Sequence, residues 1–120
     1  MFQFKIPKDT EKLSWTKHSI EKMKYYGLSG QRVKRVLRHP NRVEEGIAPV
    51  TIAVMQRAGS RKRPHEIWVM YADFRKNKKR IISTWRYPGI SPKGQEIPIP
   101  DEIREEVERE IKKLKNTCKF

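Results

Sequence analysis

The spacing of apolar side chains changes at Pro40 from a helical to an alternating one, and that switch limits the fold more than any other feature. Upstream, Ile20, Met23, Val33, Val36 and Leu37 recur at helical intervals, whereas between Arg42 and Tyr87 apolar and polar residues alternate as they do in a strand. A chain that begins as helix and continues as strands must lay its helices across a sheet. The expected class is α+β: two N-terminal helices packed on a twisted antiparallel sheet of three to four strands, plus a C-terminal amphipathic helix.

Local signals place the boundaries. WTKHSIEKMKYYGLS reads as the first helix, with Thr16 as its N-cap and Gly27 as its stop. On a helical wheel Ile20, Met23 and Gly27 fall on one side and His18, Lys22 and Tyr25 on the other, so one face is expected to pack and the other to present chemistry. A second helix starts at Ser29, carries Val33, Val36 and Leu37 as its stripe, and cannot pass Pro40. Strands are expected at Val43–Gly46, Thr51–Gln56, His65–Asp73 and Lys79–Tyr87. The connections AGSRKRP and FRKNKK are too short for parallel crossovers and imply antiparallel hairpins. Near the start, Phe2, Phe4 and Ile6 alternate, so residues 1–13 form either an edge strand or a loose arm; Pro7 excludes a central strand.

The 120 residues are read as one domain. Residues 14–87 form its core, and the segment 88–100, with four prolines, forms an extended strap. The final helix, 101–116, has a stripe of Ile103, Val107, Ile111 and Leu114 that either docks on the chain's own sheet, the favoured reading, or awaits a partner. Its charges run from acidic to basic, as the helix dipole favours.

Charge says most about partners. Lys and Arg total 28 against 14 Asp and Glu, a net +14, and residues 1–100 alone hold 22 basic and 8 acidic side chains. So large an excess on so small a body draws nucleic acid by releasing counterions from phosphates, and RNA is the expected partner. The alternative is a surface charged for solubility or heat. Cys118, the lone cysteine, rules out an internal disulfide and a Cys-based zinc site, and a cytoplasmic setting is expected. No apolar run reaches the roughly 18 residues of a membrane span, and no secretory leader is recognised.

The histidines, at 18, 39 and 65, have no carboxylates at ligand spacing, and the chain has no glycine-rich phosphate loop, so neither metal nor cofactor is expected. His, Lys, Arg and Tyr in a basic setting suit metal-free RNA cleavage. There a base deprotonates the ribose 2′-hydroxyl, an acid protonates the leaving 5′-oxygen, and cations hold the charge developing on phosphorus. His18 is the candidate base, because the start of a helix keeps an imidazole neutral; the alternative is a solvated surface histidine. Arg80 and Arg86 differ by an even number and are expected to share a sheet face where they clamp a phosphate, with Ser83 opposite; the alternative is an edge strand charged against aggregation. Lys22, Tyr25, Arg32, Lys34, Arg35 and Arg38 on the helices, and Arg61, Lys62 and Arg63 in a hairpin turn, are candidate nucleic-acid contacts. His39 and His65 are read as structural.

Three pieces then carry a resemblance over roughly residues 15–87: Trp15 with HSIEKMKYYGLS, then RVLRHPNRVEE, then EIWVMY followed after a basic turn by KRIIS. Together they resemble a BrnT-like toxin or a neighbouring small-domain family of the RelE/ParE group of ribonuclease toxins. The resemblance implies functional roles for His18, Arg80, Ser83 and Arg86, and an acidic antitoxin protein as a partner. The chain departs from the pattern at Lys22 and Tyr26, where arginines are common, and at Thr84 and Trp85, which stand before Arg86. The expected function is a metal-independent toxin-type endoribonuclease. The alternatives are a non-catalytic nucleic-acid-binding module on the same fold and a protein-interaction domain whose last helix fills a groove.

Overall fold

The computed structural model describes residues 3–48, 50–75 and 78–117, and their side chains except at 74, 75 and 114–117. In chain order it contains β1 (Leu13–Trp15), α1 (Lys17–Tyr26), α2 (Gly30–Arg38), β2 (Arg42–Glu45), β3 (Thr51–Gly59), β4 (Pro64–Arg75), β5 (Lys78–Pro88) and α3 (Asp101–Thr117). Hydroxyls start the first two helices: Thr16 Oγ1 accepts from Ser19 N and Ser29 Oγ from Arg32 N, each at 3.0 Å. Gly27 ends α1 in the left-handed region at φ 68°, while Leu28 N returns to Met23 O at 2.8 Å.

Among the described residues the sheet has five strands in the order β1-β5-β4-β3-β2. Strands β2 to β5 form the antiparallel meander that the short connections imply. The sheet is nevertheless mixed and larger than the expected three to four strands, because β1 adds to β5 in parallel, pairing Leu13 with Lys79 and Trp15 with Ile81. The edge strand therefore lies at Leu13–Trp15, downstream of the Phe4–Ile6 alternation; Phe2 is outside the described residues, and Ile6 is exposed. Where β1 stops, α1 takes over the edge of β5. Thr16 N donates to Ile81 O at 3.1 Å, the Thr16 hydroxyl to Ile82 O at 3.1 Å, and Arg86 Nε to Tyr26 O at 2.8 Å at the other end of the helix. A helix laid along the strand covers an edge that would otherwise invite pairing.

Each face of the sheet has its own core. On one, α1 and α2 set Met23, Val33 and Val36 against Val54, Ile67, Val69, Tyr71 and Ile81. On the other, Ile97 and Ile99 of the strap and Ile103, Val107 and Ile111 of α3 cover Met55, Met70, Ile82 and the stacked pair Trp68 and Trp85, whose ring centroids are 6.0 Å apart. The α3 stripe thus docks on the chain's own sheet, where each buried aliphatic side chain contributes about 1.5–3 kcal/mol; the Leu114 side chain and Cys118 lie outside what is described.

A buried polar knot holds the strap. Glu66, fully buried, accepts from Ser91 N at 3.0 Å, Ser91 Oγ at 2.6 Å and Trp68 Nε1 at 3.0 Å. Arg42 Nη1 donates to Ser91 Oγ at 2.7 Å and its guanidinium lies 5.2 Å from the Trp68 ring centroid.

Candidate functional site

Helix α1 has two inward sides, because it runs along the sheet edge between the two cores. Met23 fills one, and His18 fills the other. His18 is 7% exposed, so the expectation that its face stands open is corrected. Its Nε2 is 3.0 Å from Ser83 Oγ, and its Nδ1 abuts the Glu106 carboxylate of α3. Burial holds its pKa below the ordinary 6.5, and Lys22 pushes the same way against the opposing pull of Glu106. The carboxylate beside Nδ1 favours the ring proton there, leaving Nε2 to accept from the Ser83 hydroxyl. The order carboxylate, imidazole, hydroxyl is that of an activated hydroxyl nucleophile. Here, however, Ser83 is fully buried, and the imidazole lone pair points at it instead of outward.

The face assignments on β5 invert relative to the simple alternation. Met70 pairs with Ser83 but Tyr71 pairs with Ile81, so Ile82 is an extra residue and the strand is bulged there. Ile82 and Ser83 therefore both belong to the α3 side. Arg80, opposite Ala72, is on that side too, where its Nη1 donates to Ser14 Oγ at 3.2 Å and its Nε lacks a hydrogen-bond partner. Arg86, opposite Ile67, is on the α1 and α2 side. The structure thus gathers His18, Ser83 and Arg80 on one side and removes Arg86 to the other, correcting the expectation of an Arg80–Arg86 clamp.

Lys22 accompanies His18 toward α3. Lys22 Nζ is 3.9 Å from Glu106 and 5.5 Å from the Tyr25 ring centroid, and Tyr25 is 77% exposed. A cleft of about 250 Å³ opens beside them, lined by His18, Glu21, Glu106, Arg109, Glu110 and Lys113. A larger hollow of about 610 Å³ lies between Glu45 and Asp73 and contains none of the expected site residues.

The remaining candidates meet at the other end of β5. Arg86 donates from Nη1 to His65 Nε2 at 2.8 Å and from Nη2 to Gly27 O at 3.5 Å, in addition to its Nε bond to Tyr26 O. Arg32 Nη1 donates to Gln56 Oε1, and Gln56 Nε2 donates to His39 O at 3.2 Å. Burial, then Arg35, then Arg86 lower the basicity of Arg32; burial, then Arg86, then Arg32 hold His65 below its ordinary pKa. Arg35 and Arg38 are exposed, Lys34 is half-buried, and Arg61, Lys62 and Arg63 are exposed in the β3–β4 turn beside His65. The turn closes tightly: a Cβ on Gly59, which has φ 82°, would stand 2.4 Å from Arg63 O and 2.8 Å from His65 Nδ1.

Three participants escaped the sequence reading. Glu106 was hinted at only by its place beside Val107 on the buried stripe. Gln56 and His65 gave no local sign of an arginine partner, since both contacts form between elements distant in sequence. Among the described residues no group of three or more His, Cys, Asp or Glu side chains is placed to hold a metal ion, and no helix is long and apolar enough to cross a membrane. Comparison with protein-family models, curated proteins and solved structures returns no match to this chain.

Proposed function

We propose that this protein binds single-stranded RNA, gripping its sugar–phosphate backbone across the end of the sheet where α2 meets the β3–β4 turn. One observation carries the reading. Among the described residues the ion pairs are His18 and Lys22 with Glu106, Arg42 with Glu44, and Lys113 with Glu110, so the arginines and lysines of α2 and of the turn have no carboxylate partner. The cations of α2 and of the turn, left without carboxylate partners on a chain of net charge +14, make an electrostatic footprint for phosphates. Fluorescence anisotropy with a short single-stranded RNA tests it: affinity should fall with salt, by about 0.7 per neutralised phosphate in log–log slope. Arg61→Gln/Arg63→Gln and Arg35→Gln/Arg38→Gln should each flatten that slope. Salt-insensitive binding, or none, rejects the reading.

A second reading, the metal-independent endoribonuclease, draws support from the contact of His18 with Ser83 and from Arg80, which lies on the same face of β5. It requires α3 to move, because Ser83 is fully buried and His18 faces Glu106. Helix α3 has six acidic residues between Asp101 and Glu110 and lies over the His18 side, the position that the resemblance gives to an acidic antitoxin. Cleavage of RNA in EDTA that disappears in His18→Ala supports this reading; intact RNA under binding conditions leaves the binding function alone.

A further inference from the structure

Arg86 and Arg32 are held by neutral groups. A guanidinium has five N–H donors. Arg86 spends three of them on Tyr26 O, Gly27 O and His65 Nε2, which leaves two for an outside acceptor. Arg32 spends one, on Gln56 Oε1, and that amide is itself fixed by His39 O. Because Arg86 can only donate, His65 must accept at Nε2 and keep its proton on Nδ1, so the imidazole is a neutral prop beneath the guanidinium. Arg35, three residues after Arg32 on α2 and so its neighbour along the helix surface, adds an exposed third cation.

This arrangement is costly in the free protein. An isolated arginine on a surface relaxes away from its neighbours, but here backbone carbonyls, an amide and an imidazole hold two guanidiniums in place with a third beside them, and none of these partners has a negative charge. Mutual repulsion between fixed cations is relieved by an anion, and a dianion relieves it more than a monoanion. Guanidinium forks also match the oxygen geometry of phosphate. An internal phosphodiester has one negative charge, whereas a terminal phosphate near neutral pH has close to two.

We infer that Arg32, Arg35 and Arg86, propped by His65, form a pocket for a phosphate monoester at the end of an RNA strand. The inference rests on the proposed RNA-binding reading. The exposed Arg61–Arg63 turn, beside His65, is where the strand would continue from the pocket, its phosphodiesters meeting the remaining cations.

The test uses the full chain and three single-stranded RNAs of one sequence bearing a 5′-phosphate, a 3′-phosphate or hydroxyls at both ends, with inorganic phosphate as a competitor. One phosphorylated RNA should bind about tenfold tighter than the hydroxyl form, the scale of one charge-assisted hydrogen-bond set. Inorganic phosphate should abolish the difference. Arg32→Gln should erase the discrimination, as should Arg35→Gln, which removes an exposed side chain and cannot unfold the protein by the loss of a buried contact. Lys93→Gln, in the strap, is the charge control and should leave it unchanged. Preference for the 5′- or the 3′-phosphate identifies the end that enters. Equal affinity for all three RNAs overturns the pocket and leaves the RNA reading standing, whereas failure of all three to bind overturns both.

Discussion

Arg80 and Arg86 stand on the same strand yet point to opposite faces of the sheet, one to Ser14 and the other to the end of α1 and His65. The inserted Ile82 between them causes the inversion, since one extra residue reverses every later side chain. Two residues that looked like one clamp therefore do separate work.

Their removal should separate too. Arg86→Met keeps the aliphatic stem but loses the bonds that tie the end of α1 to β5, and should cost about 2 kcal/mol, as charged hydrogen bonds do. Arg80→Met loses one bond to Ser14 and should cost less than about 1 kcal/mol. Urea unfolding of both variants measures this, and equal losses would count against the assignment of faces.

Stability should decline as the pH drops below neutrality. His18 and His65 both titrate below their ordinary 6.5 in the folded protein, chiefly because they are buried. The unfolded chain therefore takes up protons first as pH falls through that value. Their contribution is fully present above the unfolded pKa and shrinks as the pH moves down toward the folded values. Urea midpoints between about pH 7.5 and 5 should fall, and His18→Gln should reduce the slope of that fall even if it lowers the whole curve. An unchanged slope would show that His18 charges as freely in the folded protein as in the unfolded one.

The parts of this structure that were legible are those with local causes. Thr16, Ser29 and Gly27 mark helix ends through bonds and torsions within a few residues, and the long alternations of β4 and β5 announce themselves. Strand β1 was illegible because three residues are too few to display a period, and its pairing with β5 is decided by the docking of α1. The bulge was illegible because Ile81 and Ile82 are equally suited to either core, so an apolar pair conceals the change of face. Glu106 meets His18 only after α3 folds over the sheet, and no spacing in the chain encodes that meeting.

Val50 adopts φ 62°, a left-handed conformation that costs a β-branched side chain about 1–2 kcal/mol, and it is exposed, so packing does not reward it. Val50→Gly should relieve that strain and, after the greater entropy of glycine in the unfolded chain, stabilise by about 0.5–1 kcal/mol. A thermal midpoint raised by a few degrees is the expected reading, and a lowered one would mean that the side chain contributes more than its exposure suggests.

Glu66 and Ser91 make the strap part of the fold. The carboxylate is fully buried, and its acceptors take the Ser91 amide, the Ser91 hydroxyl and the Trp68 indole; Arg42 donates to the same serine. Glu66→Leu would leave those donors buried without acceptors, each at about 1–3 kcal/mol, whereas Ser91→Ala removes one of the donors to Glu66 and leaves only the Arg42 donor without its acceptor. The glutamate variant should therefore lose several kcal/mol and the serine variant about 1–2 kcal/mol. The two should agree in where they loosen the molecule: the exposed residues 92–96 precede Ile97 and Ile99, so release of Ser91 should speed proteolysis there before it reaches α1 or α2. Limited proteolysis with fragment masses measures the order. Cleavage that begins instead in the Arg61–Arg63 turn, with the strap intact, would show that Ile97 and Ile99 hold the strap without the knot.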